Sequence, residues 1–299
     1  MTARYEVTHR TEYRYESDVS GSYGQLHLLP RDLPGQRCHS ADIVIDPVPE
    51  DYRERVDYFG NRVSYLAIHR PHRALTVTAT SVVEVSDRPE AVSAARHVSW
   101  ERTRETLRAG QVPDPLDALQ YVLDSPLVSA SDTFAQYAAP TFTPGRSLLD
   151  AVGELNHRIH TDFEYRSGST SVSTPLTEVF TRRTGVCQDF AHVAVACLRS
   201  IGLAARYVSG YLETDPPPGR PKLMGADGSH AWMSLLVPQV GWVDVDPTND
   251  QFATNRYIVT AYGRDYSDVP PLNGVIYTEG ATESLQVSVD VLALERPPA

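Results

Sequence analysis

The chain has 299 residues, 41% of them hydrophobic and 22% charged, with a formal charge of −11. That length supports one large or two ordinary domains with real cores, and the composition is that of a soluble globular chain. The acidic balance argues against nucleic acid or an anionic membrane as partner and accommodates a neutral or cationic substrate.

Met1-Thr2-Ala3-Arg4-Tyr5-Glu6-Val7 carries charge and alternation instead of an unbroken apolar run. With no apolar run long enough to span a bilayer, a cytoplasmic protein without a membrane partner is expected. From there to about residue 86 the chain alternates and turns. Tyr5, Val7, His9, Tyr13 and Tyr15 suit a strand pair, Gln25 to Leu29 and Ser40 to Ile45 single strands, and Leu75 to Val85 a last one. Between them Asp57 to Leu66 reads as a hairpin turning at Gly60-Asn61, where positive φ is cheap. A β-sandwich or barrel over 1–86 is the expected first domain. His69 and His72 flank a proline without a third ligand at metal spacing, so no metal site is expected there.

Residues 87–145 read as a helical connector between two modules. Asp114 and Pro115 start a helix reaching about Leu123, and Asp132 to Ala138 reads as another. The second module, 146–299, opens on a helix with Leu148, Leu149, Val152, Leu155 and Ile159 on one face. His157 and His160 share a side of it and, with no carboxylate at ligand spacing, are expected at the surface. Ser167 to Pro175 is a polar loop that suits a linker and a cleft wall equally.

The stretch around which the rest is organised runs from Thr184 to Gly202. Apolar residues at Val186, Phe190, Val193, Ala194, Cys197, Leu198 and Ile201 keep helical spacing, and Gly202 suits a left-handed C-cap. Cys187 then lies in the first helical turn, among amides without intrahelical partners and at the positive end of the dipole, both of which favour an anion. The bland alternative is a small buried apolar residue, the expected role of Cys197. Cys38, Cys187 and Cys197 cannot all pair and show no Cys-x-x-Cys spacing, which fits a reducing compartment.

Ala204 to Tyr211 reads as a strand, Asp215 to Gly219 as an exposed loop, and Arg256 to Ala261 and Ser284 to Ala293 as two further strands. Ser229 to Val237 and Gly241 to Thr248 form a hairpin. If Leu236 faces Val240, then Ser234 pairs with Trp242, Trp232 with Asp244, and His230 with Asp246. Period two places His230, Trp232, Ser234, Trp242, Asp244 and Asp246 on one face, and a one-residue shift of the turn leaves Asp246 diagonal to His230. An imidazole with a carboxylate across the ladder is a base held in one tautomer. The competing reading is an Asp capping the strand before Pro247 and His230 as an ordinary polar strand residue.

Gly185-Val186-Cys187, Gly228-Ser229-His230-Ala231-Trp232 and Trp242-Val243-Asp244-Val245-Asp246-Pro247-Thr248-Asn249 resemble, in order, three motifs of the transglutaminase-like cysteine-enzyme superfamily. The match is closest to a bacterial branch with the helix Gly-Val-Cys-Gln-Asp-Phe-Ala-His, the strand Ala-Arg-Tyr-Val-Ser-Gly-Tyr and an N-terminal β domain. It extends to Tyr262-Gly263-Arg264-Asp265-Tyr266 and covers most of the chain. The resemblance implies an α+β, papain-like core with the cysteine helix packed on an antiparallel sheet. It also implies Cys187 as nucleophile, His230 as base and Asp246 as orienting carboxylate.

That trio fits acyl transfer through a thioester on a peptide or protein amide, without cofactor or metal. The Cys187 amide suits an oxyanion hole, with Gln188 and Trp232 as possible oxyanion or cleft residues, although Trp232 is expected to pack. Asp189 suits either capping or a substrate amine, and Asp244 local packing. His192 lies five residues past Cys187, roughly 7.5 Å along the helix axis, too far for direct proton transfer. Hydrolysis is favoured over transfer to an amine, because no dedicated amine site is legible. A non-catalytic scaffold of the same fold is the alternative from another class, and no Asp-x-Asp-x-Asp-Gly calcium loop is present.

Overall fold

One strand of unusual length organises the first half of the molecule. In the structure, a computed structural model describing residues 1–87, 97–215, 228–238, 240–280 and 283–295, β1 (Thr2–Leu26) runs unbroken. It takes in both the expected strand pair around Tyr5 to Tyr15 and the start of the strand at Gln25. No turn forms between them. Instead β1 exchanges neighbours, with an irregular register between Arg14 and Val19.

Its first half pairs with β5 (His72–Ser86) and β14 (Glu283–Glu295), and its second half with β4 (Arg62–Ile68) and β13 (Leu272–Thr278), all antiparallel. The β2 strand (Gln36–Asp46) extends the sheet from β5, and β3 (Asp51–Val56) extends it from β4. This change of partners curls the sheet. It also corrects the division at 146–299, since the tail strands β13 and β14 complete the N-terminal sheet and do not join the sheet of the second module. Alternation on β14 explains the attraction: Val289 and Val291 are buried with Tyr5, Val7, Val83 and Val85, and with Tyr211 and Ile258 of the second module.

Among its described residues the connector holds a helix that no apolar stripe announced, α1 (Trp100–Arg108), which buries only Thr103 and Leu107. Asp114 caps α2 (Pro115–Gln120) and Ser131 caps α3 (Asp132–Ala138) through their side chains. Phe134, Tyr137, Ala138 and Phe142 share a core with Leu148, Val152, Val193 and Leu198. Residues 128–142 are thus built into the second module and are not draped between modules.

That module holds α4 (Leu148–Asp162), α5 (Leu176–Arg182) and the cysteine helix α6 (Cys187–Ser200). A short parallel pair, β6 (Glu164–Tyr165) and β7 (Thr184–Gly185), leads into α6. Its sheet is antiparallel in the order β11-β10-β9-β8-β12, formed by β8 (Ala205–Leu212), β9 (Ser229–Val237), β10 (Gly241–Asp246), β11 (Gln251–Phe252) and β12 (Tyr257–Gly263). Phe190, Val193, Ala194 and Cys197 of α6 pack on Ala205, Met233 and Leu235 of that sheet. Gly202 takes φ +82°, the left-handed conformation that ends the helix. The expected loop at Asp215 to Gly219 lies, from Pro216 on, outside the described residues. Among those described, no helix is long and apolar enough to cross a membrane.

The turn between β3 and β4 joins the two modules. Gly60 takes φ +77°, as the turn requires, and fully buried Asn61 reaches across to β12. Its Nδ2 donates to Asp57 Oδ2 at 2.8 Å and to the Tyr262 carbonyl at 2.9 Å, while its Oδ1 accepts the Tyr262 amide at 3.0 Å and the Arg31 guanidinium. Asn61→Ala would strand several buried polar groups at once. A loss of about 3 kcal/mol is expected, read as a lower urea midpoint at unchanged slope.

Candidate active site

The first turn of α6 is fastened by Asp189. Its Oδ2 accepts the Val186 amide at 2.8 Å and the Thr170 hydroxyl at 2.7 Å, and the carboxyl is buried. Of the two roles open to Asp189, this is capping, in keeping with an acid at the third helical position. Thr170 also fixes the polar loop against the helix start. Gly185 is required here because a Cβ would lie 2.7 Å from Asp189 Oδ2 and 2.8 Å from its Cβ. Cys187 follows, half-buried against Ala191, Tyr207, Ala231 and Ala261.

The β9–β10 register differs from the expectation by two residues, since Gly241 faces Val237, Trp242 faces Leu236 and Asp244 faces Ser234. Gly241 at φ +96° closes the connection directly on Val237. Parity survives the shift, so His230 and Asp246 stay on one face and meet diagonally past Trp232. His230 Nε2 lies 2.7 Å from Asp246 Oδ2. Cys187 lies close enough to His230 to act on its charge.

Asp246 is fully buried and surrounded by donors. Besides His230, Oδ2 accepts from Tyr257 Oη and Asn249 Nδ2, each at 2.7 Å. Oδ1 accepts the Thr248 amide at 2.8 Å and the Asn249 amide at 3.3 Å. Burial pushes this carboxyl up, but the bonds to His230, Tyr257 and Asn249 more than offset it and hold it below the usual range. Burial likewise pulls His230 down, while Asp246 and Cys187 together raise it to about 10.

The remaining residues named from sequence separate cleanly. Trp232 is fully buried, its ring 5.2 Å from Tyr257 and 6.0 Å from His230, so it packs behind the imidazole. Half-buried Asp244 bears on the buried Arg206 guanidinium. Half-buried Gln188 follows Cys187 on the first turn of α6. Buried His192 accepts the Tyr266 amide at Nε2 over 3.1 Å, and burial lowers it to about 4. It therefore holds the Asp265-Tyr266 segment against α6.

Exposed His157 and His160 grip the turn after Asp246, through Asp250 at 2.7 Å and the Thr248 carbonyl at 2.9 Å. His72 bonds Ser22 at 2.8 Å and His69 bonds Tyr23 at 3.3 Å. Two site neighbours escaped the sequence reading: Asn249 lay in a quoted motif without a role, and Tyr257 carried no local signal. Half-exposed Tyr165, paired with Gly185, also lies near Cys187, and burial together with that neighbour raises its phenol.

His230→Ala should abolish the preferential alkylation of Cys187 by iodoacetamide near neutral pH, with Asp246→Asn reducing it and Asp244→Asn sparing it. His192→Ala should spare alkylation too, while costing about 1–3 kcal/mol through the stranded Tyr266 amide; loss of alkylation in His192→Ala alone would contradict the geometry. Stability should also be greatest near neutrality. Burial lowers His9 and His192 to about 4, so an unfolded chain binds their protons first and stability falls as pH drops from about 6.5 towards 4. His230, raised to about 10, stabilises fully below about 6.5 and loses that contribution as pH climbs towards 10. Urea midpoints between pH 4 and 10 measure both limbs, and a midpoint still rising at pH 10 would contradict the second.

Comparison with known proteins accords with the fold. Residues 5–84 match the family model of the bacterial transglutaminase-like N-terminal region, and 135–247 match that of the transglutaminase-like superfamily. An uncharacterized protein of Mycobacterium tuberculosis is 48% identical over 98% of this chain and 94% of its own length. One from Mycobacterium leprae is 34% identical over 97% and 99%. The solved structure of a proposed cysteine protease from Cytophaga hutchinsonii superposes with a TM-score of 0.77 at 18% identity, covering 100% of this chain and 93% of that one. From the curled N-terminal sheet to the cysteine helix on its antiparallel sheet, this chain belongs to the transglutaminase-like superfamily, in the bacterial branch that carries the N-terminal β region.

Proposed function

We propose that the protein is a cysteine acyl-transfer enzyme acting on peptide or protein amides, with Cys187, His230 and Asp246 as its triad. The observation that carries this reading is the position of His230, 2.7 Å from buried Asp246 and close enough to Cys187 for the two to act on each other's charge. Cys187 gives its thiol proton to His230 as Sγ attacks the amide carbonyl, forming a C–S bond while the carbonyl π electrons move to oxygen. The Cys187 amide, at the start of α6, is one donor to that oxyanion. As the intermediate collapses, the C–N bond breaks and His230 gives its proton to the leaving amine. A proton held through neutral pH suits that step. The neutral imidazole then takes a proton from water as the water attacks the thioester, and the acid departs as Cys187 regains its proton.

Hydrolysis is the favoured outcome, because transfer to an amine requires a second site that excludes water and holds the acceptor. The competing outcome, amine transfer, has one observation behind it. A protein-glutamine gamma-glutamyltransferase of Pseudomonas aeruginosa is 37% identical to this chain over 71 residues, 23% of the chain. Incubating the purified protein with a glutamine- and peptide-amide library, with and without a primary amine, separates the two by product mass. Acid formation that is lost in Cys187→Ala is expected. Amine incorporation outrunning acid formation would establish transfer, and absence of both would leave a binding protein.

A further inference from the structure

We propose that Tyr257 is a positioning residue that shares the Asp246 carboxylate with His230 and thereby limits how tightly His230 keeps its proton. Tyr257 lies on β12, across the sheet from the hairpin that carries His230 and Asp246, and its side chain is almost wholly buried. Its hydroxyl has a single proton and a forced direction. Gln251 Nε2 donates into the phenol oxygen at 2.6 Å, so the Tyr257 proton points to Asp246 Oδ2, 2.7 Å away. That is the oxygen His230 uses, at the same 2.7 Å.

A carboxylate oxygen divided among several donors binds each less strongly than one given to a single partner. The titratable and charged groups facing His230 are Asp246 of β10 and Cys187 of α6, with the Tyr257 phenol beyond Asp246. Burial and the Asp246 charge keep that phenol protonated across the accessible range. It therefore acts as a fixed donor and never as a competing base. The inference deepens the acyl-transfer reading: His230 must hold a proton for the leaving amine and then be neutral for the attacking water, and Tyr257 keeps the second state within reach.

The test reads the imidazole directly. Histidine ring 13Cε1 signals are followed by NMR from pH 6 to 11, with His230 assigned by its absence in His230→Asn. In Tyr257→Phe, which keeps the ring and removes the donor, the His230 midpoint should rise by about one pH unit. Tyr137→Phe is the structural control, since it loses a comparable hydroxyl bond to Asp162, at 2.8 Å, elsewhere in the core; it should leave the His230 midpoint in place. An unchanged or lowered midpoint in Tyr257→Phe, or an equal shift in Tyr137→Phe, would overturn the proposal. Because no turnover enters the measurement, a protein that proved inactive would refute the enzymatic reading while the shift still judged this one.

Discussion

A fully buried carboxylate must be paid in hydrogen bonds, and the second module is arranged around doing so at Asp246. Without partners, burial would protonate the group and the imidazole beside it would lose its counter-charge. The donors come from His230 on β9, Tyr257 on β12, and the side chain and amides of the turn after β10. That turn is in turn held by helix α4, where Asn156 and His157 bond Asp250, itself at φ +52°. The order of the sheet, β10-β9-β8-β12, and the seating of α4 thus converge on one charge.

The same logic of buried polar groups fastens the N-terminal sheet to the core. Tyr262 of β12 is flanked by two guanidiniums, Arg31 at 3.9 Å and Arg206 at 3.4 Å from its ring centre, and Arg206 also stacks on Trp242 at 4.1 Å. Such stacking suits the weakly hydrated, planar arginine. Tyr211 adds a bond to the Leu28 carbonyl at 2.9 Å, and Gln36 bonds both the Val259 carbonyl and its amide at 2.8 Å. With β13 and β14 returning to β1, the chain crosses between the modules more than once. The curled sheet therefore supports β12, which carries Tyr257, and β8 beside it.

Parts of this arrangement were legible in the sequence because they depend on spacing within one element. The apolar period from Val186 to Ile201 and the glycine after it gave helix α6 its bounds, and so placed Cys187 in the first turn. Period two along β9 and β10 put His230 and Asp246 on a common face in every register of the same parity, which is why a two-residue displacement of the hairpin left their contact intact. Asp189, three residues past Val186, was equally local.

What tertiary structure decided are the relations between elements distant in sequence. Nothing in residues 251–257 announces that the Gln251 amide will turn the Tyr257 hydroxyl onto Asp246, because that follows from β12 lying in one sheet with β9 and β10. His192 has a place on a helix from its spacing, but its role as acceptor for the Tyr266 amide exists only once the chain has folded back across α6. The strands at 272–295 look like any alternating pair, and it is the continuous length of β1 that offers them an edge. Local periodicity fixes which face a side chain occupies, whereas long-range pairing fixes what that face meets.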